Sequence, residues 1–196
     1  IVDASRASNM FIEVGITATE SGQALLALKQ NSNTFTESFI ANNKGLTAET
    51  TNLVAGLTKI GISADSSTKA IDLFTKVLKQ SPKSALKSTK SLVNIADSLD
   101  ISVGKAFQDF NSLMPDLAQF GDRAVEVFGN LSAQARATGI EVGKLSKVAM
   151  GLDTFQGAAK AAQGLNAVLG GTMISVTDLV HAEPHEKIDL LRNAFD

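Results

Sequence analysis

The stretch from Asp100 to Leu117, DISVGKAFQDFNSLMPDL, decides the fold. Val103, Phe107, Phe110, Met114 and Leu117 recur at intervals of three and four, the spacing that places side chains on one face of an α-helix. Ser102, just ahead of the stripe, has the short hydroxyl side chain that suits an N-cap. Working outward, Ile71, Phe74, Val77 and Leu78 form a second stripe, and Leu92, Ile95, Ala96 and Leu99 a third. No run of alternating polar and apolar residues bounded by turn signals interrupts them, so the expected fold is all-α. The opening of the stretch also recurs. Gly61-Ile62-Ser63, Asp100-Ile101-Ser102 and Gly139-Ile140-Glu141 start at 61, 100 and 139, which is 39 residues each time. Ile101–Lys105 and Ile140–Lys144 are especially alike. Helix pairs of about forty residues cannot bury their apolar faces singly and stack on neighbours. The expected organisation is therefore a domain of helical hairpins over 61–196, in a degenerate repeat of about 39 residues.

Residues 1–60 have another texture, rich in Ser, Thr and Asn and broken by Gly15, Gly22, Gly45 and Gly56. Helices there should be weak alone, more extended, and dependent on docking or self-association. Elsewhere Pro82, Pro115 and Pro184 read as marks of helix starts, where a missing N–H costs nothing. Ser81 reads as a cap, Asp153 with Gln156 and Ser175 with Asp178 as capping boxes, and Gly61, Gly139 and Gly170 as helix ends.

With 196 residues the chain can bury a core, and its 18 Lys and Arg against 20 Asp and Glu lack the basic excess of a dedicated nucleic-acid binder. No Cys is present, which removes disulfides, thiol catalysis and cysteine-based zinc sites, and no Trp or Tyr accompanies the ten Phe. The first residues, from Ile1, have no signal-peptide pattern and read as part of something longer. Ala167–Val176, the most apolar run, is about half the length of a membrane span.

Candidate chemistry has blander alternatives at each place. His181 and His185, flanked by Glu183 and Glu186, invite a metal, but Pro184 starts a helix between them and no third ligand stands out. Gly139–Leu145 has one residue too few between its glycines for a phosphate loop and no hydroxyl after Lys144. Ser102, in Asp100-Ile101-Ser102-Val103-Gly104, is one glycine short of a nucleophile elbow. Asp72, Asp97 and Asp122 show no paired arrangement and read as solvated. Lys76, Lys79, Lys83, Lys87 and Lys90 form a basic run with no acid between them, a solvated helix face or a contact for DNA or an acidic partner. Gly157–Gly164 is rich in small residues, which suits close helix packing or self-association. No catalytic residue, metal ligand or cofactor site is expected.

From about Leu57 onward the chain resembles tape measure proteins of tailed bacteriophages, in LVNIADSLDISVGKAFQDF, LMPDLAQFGDRAVEVF, ATGIEVGKL and above all LDTFQGAAKAAQGLNAVLGG. Phe155, Gly157, Ala158, Ala159, Leu165, Asn166, Leu169, Gly170 and Gly171 carry the last match, and the acidic helix start HAEPHEKIDLLRNAF follows it. The resemblance implies a non-enzymatic virion structural protein inside the tail tube or at its tip. Such a protein sets tail length, is anchored at the tail tip or baseplate hub, and leaves ahead of the DNA on infection. The implied partners are other copies of the chain, in a homo-oligomer such as a trimer, together with tail-tube and hub proteins. No specific nucleic-acid binding is implied, and a membrane is met only where the parent protein is ejected. Contact with partners or copies would run through Phe110, Leu117, Phe120, Phe155, Leu165 and Leu169. The alternative is a non-enzymatic all-α helical-repeat adaptor that takes a protein or peptide in its groove; an α-helical hydrolase would need a polar pocket that the residues do not advertise.

Overall fold

A computed structural model describes residues 15–171 and 174–194. Among these residues the fold is all-α, with no strand. The chain divides into two compact units, Ile1–Met114 and Pro115–Asp196.

The first unit holds α1 (Ala18–Asn31), α2 (Glu37–Asn42), α3 (Lys44–Lys59), α4 (Ala64–Lys76), α5 (Pro82–Ser98) and α6 (Val103–Leu117) as far as Met114. Helix α4 packs against α1, α3 and α5. Its Ala70, Ile71 and Phe74 are wholly buried, and the Phe74 ring lies 5.1 Å from that of Phe110 on α6. Burying a side chain of this size contributes about 1.5–3 kcal/mol. Val77, grouped with this stripe by its spacing, is exposed because α4 ends at Lys76.

The second unit contains a 3-10 helix (Ala118–Arg123), α7 (Ala124–Thr138), α8 (Val142–Gly151), α9 (Phe155–Leu169), α10 (Val176–His181) and α11 (Pro184–Asn193). Helix α11 packs on α7 and α8, and Ile188 joins Leu145 and Ala149 in one apolar cluster. A second cluster joins Leu152, Ala158, Ala162, Ile174 and Leu179.

Local chemistry explains many of the helix ends. Thr17, Thr36, Ser63, Ser81, Thr154 and Ser175 each accept a backbone N–H of the first turn. Ser102 does the same for Lys105 at 3.2 Å. Thr154, not Asp153, caps α9, and Pro115 lies inside α6 instead of at a helix start. The chain tightens into the 3-10 turn soon after that proline, which removes an N–H from the α-helical ladder.

Helices α4, α6 and α8 begin at Ala64, Val103 and Val142, again 39 residues apart. Each is preceded by a residue with positive φ: Gly61 at 91°, Asp100 at 52° and Gly139 at 69°. At the first two joints the backbone reaches back five residues, Ile62 N–H to Leu57 O at 2.9 Å and Ile101 N–H to Ala96 O at 3.0 Å. This bond satisfies a carbonyl left over at the helix end and turns the chain sharply. A left-handed conformation disfavours any residue with a Cβ, so Gly139→Ala is expected to cost about 1 kcal/mol. Lys79, a second non-glycine at positive φ (56°), gives the opposite sign: Lys79→Gly should gain about 0.5 kcal/mol in urea unfolding.

Candidate functional site

Helices α1, α2 and α3 line a groove of about 360 Å³. Leu25 of α1, Ile40 of α2 and Ala48 of α3 give it apolar walls, and Lys44 adds the charge among its lining residues. Thr47 and Thr51, one helical turn apart on α3, line it as well. Their hydroxyls are enclosed and have no hydrogen-bond partner among the described residues, whereas neighbouring Thr50 donates to Leu46 O at 2.8 Å. The groove offers apolar surface, with the two enclosed hydroxyls behind it.

The link between α1 and α2 is held by a carboxylate from α4. Asp72 accepts from Ser32 Oγ at 2.6 Å, Asn33 N–H at 3.1 Å and Thr34 Oγ1 at 3.1 Å, and pairs with Lys76 at 2.9 Å. Burial by itself raises the pKa of this carboxyl, but hydrogen bonds from Ser32, Lys76, Asn33 and Thr34 outweigh it and hold the group below the usual carboxylate range. Asp72 is thus a buried structural anchor, which corrects its reading as a solvated acid. Nothing local in the sequence announces it, because Ser32 and Thr34 lie 40 and 38 residues away.

The basic run is less uniform than its sequence. Lys76 is neutralised by Asp72, and Lys90 pairs with Glu49 of α3 at 2.9 Å. Lys79, Lys83 and Lys87 are exposed, with no ion pair among the described residues.

The expected partner-contact residues separate as well. Phe110 and Leu117 are fully buried, so their apolar area is spent inside the fold, and they are withdrawn as surface contacts. Leu165 packs on the Leu152–Leu179 cluster, and Phe120 and Leu169 are half-buried. Phe155 alone of the six stands out, at 71% exposed.

Helix α9 uses its distinctive residues for shape. A Cβ added to Gly157 would meet the Gly151 carbonyl oxygen at 2.0 Å. Asn166 clasps the backbone of Ile174, donating to its carbonyl at 3.0 Å and accepting its N–H at 2.9 Å. Gly170 ends the helix in the left-handed conformation. Lys187, 1% exposed, reaches from α11 to pair with Asp153 at the start of α9, an anchor that sequence reading missed.

The two histidines lie on different helices. His181 ends α10 and donates from Nδ1 to Thr177 O at 2.8 Å, while His185 sits in the first turn of α11 with an enclosed Nδ1. Gly143 and Lys144 lie inside α8, where Lys144 pairs with Glu141 at 3.1 Å. Among the described residues no three His, Cys, Asp or Glu gather as a metal site, and no helix is long and apolar enough to cross a membrane. No family model, curated protein or solved structure matches the chain.

Two anchors generate predictions. Asp72→Asn should lose about 2 kcal/mol at neutral pH, because the amide cannot serve the same donors or Lys76. Since the folded pKa of Asp72 lies below its unfolded value, its contribution is full above about pH 4 and fades as pH falls through the folded value. Urea unfolding should therefore show a shallower loss of stability on acidification in the variant than in the parent. Asp153→Ala should cost about 3 kcal/mol by stranding the Lys187 ammonium, and Lys187→Met clearly less, since it removes the charge along with its partner's attraction.

Proposed function

We propose that this chain is a structural, non-enzymatic part of a bacteriophage tail, a folded all-α segment of a tape measure protein. It is anchored at the tail tip or hub through copies of itself and its neighbours. The observation that carries the reading is in α9. The segment with the strongest resemblance to that family spends Gly157, Ala158, Asn166 and Gly170 on close packing and chain reversal, as a scaffold would. The 39-residue register of helix starts supports it, since helix pairs in register stack on neighbours. In this reading the length-setting part lies in extended helix elsewhere in the parent protein, and the units described here cap it. The adaptor reading is favoured by a different observation, the groove between α1 and α3, whose walls include Leu25, Ile40 and Ala48 and suit an apolar side of a partner peptide.

Tail length in electron micrographs tests the proposal. In-frame deletion of helical sequence outside this segment should shorten tails by about 1.5 Å per residue removed. Phe155→Ser should leave the fold intact and reduce incorporation into particles, because that ring is exposed. Tails of unchanged length, with the product absent from particles, would reject the tail assignment and promote the adaptor.

A further inference from the structure

Residues 73–96 contain five Lys and neither Asp nor Glu, across the end of α4, the link and most of α5. Folding removes two of these charges from the surface balance, Lys76 to Asp72 and Lys90 to Glu49. It leaves Lys79 in the link, and Lys83 and Lys87 one turn apart on α5, exposed and without an ion pair among the described residues. Lys83 and Lys87 are separated by about 6 Å of helix rise and share a face. We propose that Lys79, Lys83 and Lys87 form a docking surface for the phosphate backbone of duplex nucleic acid, without sequence preference.

The partner follows from the chemistry of the face. A folded acidic protein would want an apolar centre to its interface, and within 73–96 the exposed large apolar side chain is Val77, at 42%. A single strand would want aromatic rings for its bases to stack on, and Phe74, the aromatic residue of this stretch, is fully buried. A duplex needs neither. It carries one charge per about 1.7 Å of axis, so flexible ammonium groups on α5 and on the link that leads into it find phosphates in reach. Lysine supplies a point charge without the planar fork that reads base edges, which makes the contact insensitive to sequence. The proposal stands on this charge pattern and is independent of the tail reading.

Fluorescence anisotropy of the whole chain with a labelled mixed-sequence duplex is the test. Binding should appear at low salt and weaken with a log–log slope of about −2.7, the value for three phosphates. The triple variant K79Q/K83Q/K87Q should lose about tenfold or more in affinity with unchanged helical circular dichroism, and the triple Arg variant should retain it. No binding at low salt, a flat salt response or full affinity in the Gln variant would overturn the proposal. Tighter binding to poly-glutamate than to the duplex would also overturn it, in favour of an acidic polypeptide.

Discussion

The burial of α4 is the constraint on which the first unit rests. At 13 residues the helix is too short to hold itself together in water, so its order comes from what packs on it. Helices α1, α3 and α5 all do. Ala70, Ile71 and Phe74 have no exposed surface left, and Asp72, on the same helix, reaches back to tie down the residues that join α1 to α2. The walls of the α1–α3 groove and the helix bearing the lysine stripe are therefore positioned by one short element. A change that loosens α4 should disturb both surfaces, though neither lies on it.

The second unit solves the same problem by other means. Helices α8, α10 and α11 span only 10, 6 and 10 residues, and α9 is rich in Ala, which allows close approach but buries little area per residue. Directed contacts make up the difference: Asn166 on the backbone of Ile174, Lys187 on Asp153, and Gln134 on both oxygens of Asp189 at 2.8 Å. Two glycines of α9 and its end have steric roles: Gly157 admits the Gly151 carbonyl, and Gly170 turns the chain.

What could be read from the sequence was the part written in local spacing. The stripes of α4, α5 and α6, the hydroxyl caps at Ser81, Ser102 and Ser175, and the chain reversals at Gly61 and Gly139 all depend on residues a few positions apart. Periodicity does not say which neighbour covers an apolar face, which is why Phe110 and Leu117 could pass for partner contacts until the packing around them was known. The Asp72 anchor and the Lys90–Glu49 pair join residues about forty positions apart, beyond any local pattern. Lys76 shows the reverse case: its partner Asp72 stands four residues ahead, just outside the run in which the lysines were counted. Helix boundaries, which spacing alone leaves open, place Gly143 and Lys144 inside α8 and the two histidines on separate helices.

Native-state hydrogen exchange tests the central role of α4 most directly. The amides of Ala70–Phe74 should exchange slowest in the first unit, opening only with global unfolding, while α2, with no buried residue, should exchange through local opening. Exchange of α4 as fast as that of α2 would contradict the account and place the organising core of the unit elsewhere.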